Sequence, residues 1–274
     1  MSLGCLESLG KFSYAPYLLN HLNLPQLSKL ICMTKTICFD FGNTRLKAAV
    51  FENDLFSFEA ILPDDETATI QKLLDEHDPQ RSILSSVIDH NVDVEELLAS
   101  RTLFHKLSHL TKANFTTPVG KPETIGADRL ALSAAAVHFF PGKNNLVVSL
   151  GSCITYNFIN QYRQFIGGSI SPGMEMRFKA MQVFTAKLPL AEKDWNFPKI
   201  GYDTKTNLQS GVIAGITYEI DGFIDEYAGK YGNFNAVLTG GDTSYFAGQL
   251  KNKIFADSNF LFKGLYALSE TNNG

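Results

Sequence analysis

The 274 residues contain no uncharged apolar run long enough to cross a bilayer, and no surplus of positive charge. Twenty-four Lys and Arg stand against 28 Asp and Glu, a net charge of −4. That balance argues against a nucleic-acid partner, whose binders concentrate positive charge. Cysteine is scarce: Cys5, Cys32, Cys38 and Cys153 are scattered, with no CxxC and no clustering with the six histidines. The scatter argues against a disulfide framework and a structural zinc site, and the usage fits a reducing cytoplasm. Cys38 and Cys153 fall in apolar runs and read as small buried hydrophobes. Tryptophan occurs once, Trp195, in the loop-like "EKDWNFP".

What is present describes a soluble globular chain, 45% hydrophobic and 19% charged, long enough for two ordinary domains. Residues 1–32 differ from the rest, with two prolines, one acidic residue and no helical period. They lack the basic start and unbroken apolar core of a signal peptide. The segment reads as an extension set by start-codon choice or as a poorly ordered arm, with the first domain expected over 33–144 and the second over 145–274.

Both expected domains open in the same way. "ICFDFGNTRLKAAVF" alternates around Gly42, and "VVSLGSCITYNFI" alternates around Gly151. Each predicts strand, tight turn, strand. In the first half a third strand is expected at 54–62, then a helix in "DETATIQKLLDEH" capped by Asp64 or Asp65. A short buried strand, "RSILSSVI", a helix in "NVDVEELLAS" and an apolar helix in "IGADRLALSAAAVHFF" follow. The second half predicts a glycine pair, a Pro-Gly turn and a helix in "QFIGGSISPGMEMRFKAMQVF". A long helix follows in "KTNLQSGVIAGITYEIDGFIDEYAGKY", where Gly211 and Gly215 imply close packing. Then come a strand, diglycine turn and helix in "FNAVLTGGDTSYFAGQL", and a terminal strand and helix.

Three segments carry candidate chemistry. In "DFGNTRLK" (40–47), backbone N–H groups converging at a turn bind anions such as phosphate. Asn43 and Thr44 add donors and Lys47 a positive charge, while Asp40 can hold Mg²⁺ through water. The same octet is equally readable as a plain hairpin turn. In "LTGGD" (238–242) the diglycine permits close approach of a bulky ligand, or is simply a strand-to-helix turn. In "IGADR", Asp128 is either a helix N-terminal charge or a proton acceptor, with Arg129 beside it to grip substrate.

Taken in order, "DFGNTRLK", "GADR", "SLGS", "GGSISPG" and "TGG" resemble the type III pantothenate kinases of the acetate kinase, sugar kinase, Hsp70 and actin superfamily. The resemblance runs from about residue 36 to the tail. It implies an α/β fold of two RNase H-like (actin-like ATPase) domains, each a mixed five-stranded sheet flanked by helices. It implies ATP-dependent phosphorylation of the pantothenate primary hydroxyl to 4'-phosphopantothenate, the first step of coenzyme A biosynthesis. ATP would lie between the halves, contacted by Asp40, Phe41, Gly42, Asn43, Thr44, Arg45, Leu46, Lys47, Gly151, Ser152, Gly240 and Gly241. Asp128 would be the general base; Gly126, Ala127, Asp128, Arg129 and Thr204 would bind pantothenate. Asp40 would hold Mg²⁺ through water. A cytoplasmic homodimer with the pantothenate pocket at its interface, and a monovalent cation (K⁺ or NH₄⁺), complete the implied picture.

The second turn departs from the family pattern Asp-x-Gly-Thr. Ser149 stands at the cation-ligating aspartate, Ser152 replaces the threonine, and Asn157 stands where a second acid is usual. A serine hydroxyl coordinates K⁺ without the charge of a carboxylate. Three readings follow: an active pantothenate kinase with altered or weakened K⁺ dependence, a weakened relative acting by binding, and a kinase for another small alcohol. Intact Asp40, Lys47, Asp128 and Arg129 favour the first.

Overall fold

The computed structural model describes residues 34–273, so the expected leader at 1–32 lies outside the described residues. Two five-stranded sheets repeat one plan. The first comprises β1 (Lys35–Phe41), β2 (Leu46–Glu52), β3 (Leu55–Leu62), β4 (Arg81–Ser86) and β5 (Leu103–Lys106), ordered β3-β2-β1-β4-β5. The second comprises β6 (Asn144–Leu150), β7 (Cys153–Ile159), β8 (Phe165–Pro172), β9 (Phe234–Thr239) and β10 (Phe255–Ala256), ordered β10-β9-β6-β7-β8. In each, the meander is antiparallel and the last two strands join in parallel. This is the mixed-sheet α/β architecture expected of two RNase H-like halves.

Alternation along the strands sorts the core into layers. Ile37, Phe39 and Phe41 of β1 pack outward against α1 (Thr67–His77) and α2 (Asp93–Arg101). Leu146, Val148 and Leu150 of β6 pack with α4 (Met174–Val183) and α6 (Gly215–Lys230) on the far side of the second sheet. Between the sheets lie α3 (Ala127–Phe139) and α8 (Phe260–Asn272), packed on each other and sharing one cluster with Cys38, Ile83, Val147 and Val237. Ala131, Ala134, Ala135 and Ala136 of α3 are fully buried, and their small side chains let α8 lie close. Thus α8, at the end of the chain, packs on β1 and β4 of the first sheet.

Several local expectations are corrected. Neither Asp64 nor Asp65 caps α1: Glu66 holds the N-cap position without a side-chain bond, Asp64 accepts from the Thr69 hydroxyl, and Asp65 accepts from the Asn91 amide. The glycine pair Gly167–Gly168 lies inside β8. The expected long helix forms without a gap from Thr204 to Lys230, as α5 (Thr204–Gln209), a π-helical turn at Ser210–Ala214, and α6. Gly211 and Gly215 face open space, so close packing does not explain them. Only one helical turn, α7 (Thr243–Phe246), follows the diglycine. Cys38 is buried as expected, and Cys153 is half-buried at the start of β7. Trp195 stacks on Tyr245 beside Phe246.

Candidate active site

The two glycine turns form at matching strand ends. Gly42 N–H donates to Arg45 O, and Gly151 N–H to Cys153 O, each at 3.1 Å. The turns meet directly, with the Thr44 and Ser152 hydroxyls 2.5 Å apart. The third turn closes on the second. Gly240 has φ +98°, and a Cβ there would lie 2.4 Å from the Leu150 carbonyl oxygen, so a side chain is excluded on both counts. The Asp242 amide then reaches the same carbonyl at 3.4 Å. Gly42–Arg45, Gly151–Ser152 and Gly240–Gly241 therefore form one cluster where β1, β6 and β9 end.

Below the turns, the inner faces of the sheets carry the polar residues. Asp40 sits on the Cys38 face of β1, opposite Lys47 on β2 and Ser85 on β4. Its pKa is pushed up from 3.8 to about 7, first by burial and then by the negative charge of Asp128; Lys47 and the Ser85 hydroxyl pull it down. Asp128, in the first turn of α3, is also raised by burial, against the opposing pull of the Arg129 amide and guanidinium. Asp40 thus feels the charge of Asp128.

This arrangement fits a hard dication beside Asp40, since cation binding would relieve the repulsion between two crowded carboxylates. Among the described residues no cluster of three His, Cys, Asp or Glu exists, so a cation there would take one carboxylate together with phosphate and water. In the second sheet the corresponding positions are neutral. Ser149 pairs with Thr155 on β7 and Thr239 on β9, and the Thr239 hydroxyl is buried without a hydrogen-bond partner. Uncharged oxygens of this kind suit a monovalent cation weakly.

The predicted contact residues divide by what they can offer. Asn43, Thr44 and Arg45 are exposed at the turn, whereas Phe41 is a core side chain and Leu46 packs against that core. Phe41 and Leu46 have only backbone to present to a phosphate. The Lys47 ammonium is 2.8 Å from Glu59 on β3, so its charge is shared. Gly126 precedes α3, and Ala127 packs into the central core. Arg129 reaches across to the second sheet, donating from Nε to Asn157 Oδ1 at 2.6 Å. Thr204 opens α5 behind the Asp203–Thr206 capping box and is exposed; among the described residues no hydrogen bond joins it to Asp128 or Arg129. Sequence reasoning missed Ser85, Glu59 and Thr239, although the hydroxyls closing "SILSS" and "AVLT" end the strands that flank Asp40 and Ser149.

Two hollows lie away from this cluster. One of about 290 Å³ is bounded by the 107–117 loop, Leu130 and Leu268, and one of about 410 Å³ by Phe197, Thr217 and Asp225. Neither is lined by Asp40, Asp128 or the glycine turns.

The family profile described as type III pantothenate kinase matches residues 36–226. A Flavobacterium johnsoniae protein of that name is 40% identical over 232 residues, covering 82% of this chain and 93% of its own. A Bacteroides fragilis protein of the same name is 38% identical over 244 residues, covering 87% and 98%. Among solved structures, a Campylobacter jejuni protein described as a Baf family transcriptional activator is similar in fold, with a TM-score of 0.57 at 23% identity over 86% of this chain and 98% of that one.

Proposed function

The chain belongs to the type III pantothenate kinase family, and from that premise we propose that ATP is held by the three turns between the sheets while Asp128 accepts the proton of the pantothenate primary hydroxyl. The alcohol oxygen attacks the γ-phosphorus, the bond to the β–γ bridging oxygen breaks, and ADP and 4'-phosphopantothenate result. Phosphoryl transfer asks mainly for positioning and charge neutralisation. Backbone amides at 42–45 and 151–152 supply the first anion contacts, and the Gly240–Gly241 turn receives the adenosine on the side where Gly241 faces open space. Asp40 would hold Mg²⁺ through water, and the ion would supply charge neutralisation at the phosphates. The observation that carries this reading is the meeting of the three glycine turns, with the Thr44 and Ser152 hydroxyls 2.5 Å apart and Gly240 pressed against the Leu150 carbonyl. A carboxylate raised by burial is a better base near neutral pH than an exposed one.

Gly126–Arg129 line the pantothenate side. Thr204 serves the pocket of a second copy, because it is exposed and flanked by the exposed Ile200 and Tyr202. Ile166 and Ile170 on the outer edge of β8 add apolar surface suited to a homodimer. Ser149, with Thr155 and Thr239 beside it, holds K⁺ or NH₄⁺ more weakly than an aspartate would. The cysteine usage suits a cytoplasmic enzyme. A coupled assay of ADP release tests the reading: turnover should require pantothenate and differ little between K⁺ and Na⁺. Turnover only with another alcohol, or binding without turnover, would contradict it. Sedimentation should give a dimer; a monomer with full activity would remove the shared pocket.

A further inference from the structure

Arg129 is one of the points where the first half of the chain grips the second. Its Nε donates to Asn157 Oδ1 at 2.6 Å, one terminal nitrogen lies 3.5 Å from the Tyr156 carbonyl, and its guanidinium carbon lies 5.4 Å from the centroid of the Phe165 ring. Asn157 itself is fully buried, and its orientation is fixed. Its Nδ2 donates to the Val147 carbonyl at 3.2 Å and to the Thr155 hydroxyl at 3.0 Å, which leaves Oδ1 as the acceptor facing Arg129. The strand beyond is cut to fit: a Cβ on Gly168 would lie 1.7 Å from the Tyr156 carbonyl oxygen and 3.3 Å from the Arg129 terminal nitrogen.

The consequence lies in what Arg129 keeps free. A guanidinium carries five N–H donors in a rigid fork. Asn157 and Tyr156 engage one edge, and among the described residues no hydrogen bond or ion pair occupies the rest. We infer that Asn157 is a positioning residue that holds the Arg129 fork so that its free edge meets the carboxylate of the acceptor substrate. The inference rests on the placement of Arg129 on the acceptor side proposed above.

The test compares full-length variants with pantothenate and with its uncharged alcohol analogue pantothenol. Asn157→Leu should raise the pantothenate KM about tenfold, with kcat and the ATP KM within about twofold of wild type. For pantothenol it should change nothing measurable. Asn157→Asp, which retains the acceptor oxygen, should restore the pantothenate KM to within about threefold. In an Arg129→Met background, Asn157→Leu should add no further loss.

Equal losses for both acceptors, or an unchanged pantothenate KM in folded Asn157→Leu, would overturn the assignment. Should Asn157→Leu fail to fold, Arg129→Lys decides: it retains charge but not the fork, and an unaltered preference for pantothenate over pantothenol would refute the role. Arg129→Met separates the two layers of the argument. A normal pantothenate KM in that variant removes Arg129 from the acceptor side, whereas a raised KM beside an unaffected Asn157→Leu removes only the positioning role.

Discussion

Asp40→Asn should trade activity for stability, with a pH dependence set first by the burial of Asp40 and then by the charge of Asp128. Burial and the nearby charge of Asp128 raise the Asp40 pKa from 3.8 to about 7. Between those two values the folded chain keeps a proton that the unfolded chain has released. Rising pH therefore costs the folded state across that window, and the cost is complete above pH 7. About three pH units at roughly 1.4 kcal/mol each set a ceiling of about 4 kcal/mol; partial solvent access lowers this to about 2–4 kcal/mol. For a chain of this size that is a Tm difference of roughly 4–16 °C. Thermal unfolding of wild type and Asp40→Asn, measured in parallel from pH 4 to pH 8 without Mg²⁺, provides the assay. The variant should match wild type near pH 4, gain as pH rises and level off above pH 7, while losing Mg²⁺-dependent turnover. A Tm difference that stays flat with pH would refute the reasoning, because Asp40 would then have no raised pKa in the folded state.

Further expectations follow from the turns. Gly240→Ala should destabilise by about 2–4 kcal/mol, since it combines a strained φ with a clash against the Leu150 backbone; urea unfolding with an unchanged midpoint would contradict that. Ser149→Asp should increase activation by K⁺ over Na⁺, read as the ratio of kcat/KM in the two salts, and an unchanged ratio would remove the cation role assigned to that position.

The repeated strand-turn-strand openings were legible because apolar alternation breaks at Gly42 and Gly151, and the structure forms β1–β2 and β6–β7 there. The buried α3 was legible from its alanines. Four-residue β5 was not, because Leu103 is 59% exposed and the strand is held by its parallel pairing with β4, not by its own pattern. The sequence marks Gly167–Gly168 without assigning it an element; β7 holds the pair in a strand, and the close approach of the Tyr156 carbonyl explains the glycine at 168. The π turn at Ser210–Ala214 has no residue signature beyond Gly211 within it and Gly215 just after it. Asp40, Asp128 and both turns could be named from their motifs. The Asp40–Asp128 coupling and the Arg129–Asn157 bond could not, because each joins segments that only the folded layers bring together.

The decisive measurement is made on Asp128→Asn, in which the carboxylate between the sheets loses its basicity while retaining its shape. Turnover of pantothenate should fall by about 10²–10⁴-fold, while calorimetric affinity for ATP analogue with Mg²⁺ stays within about twofold. Retained turnover, or loss of nucleotide binding in step with turnover, would contradict the account.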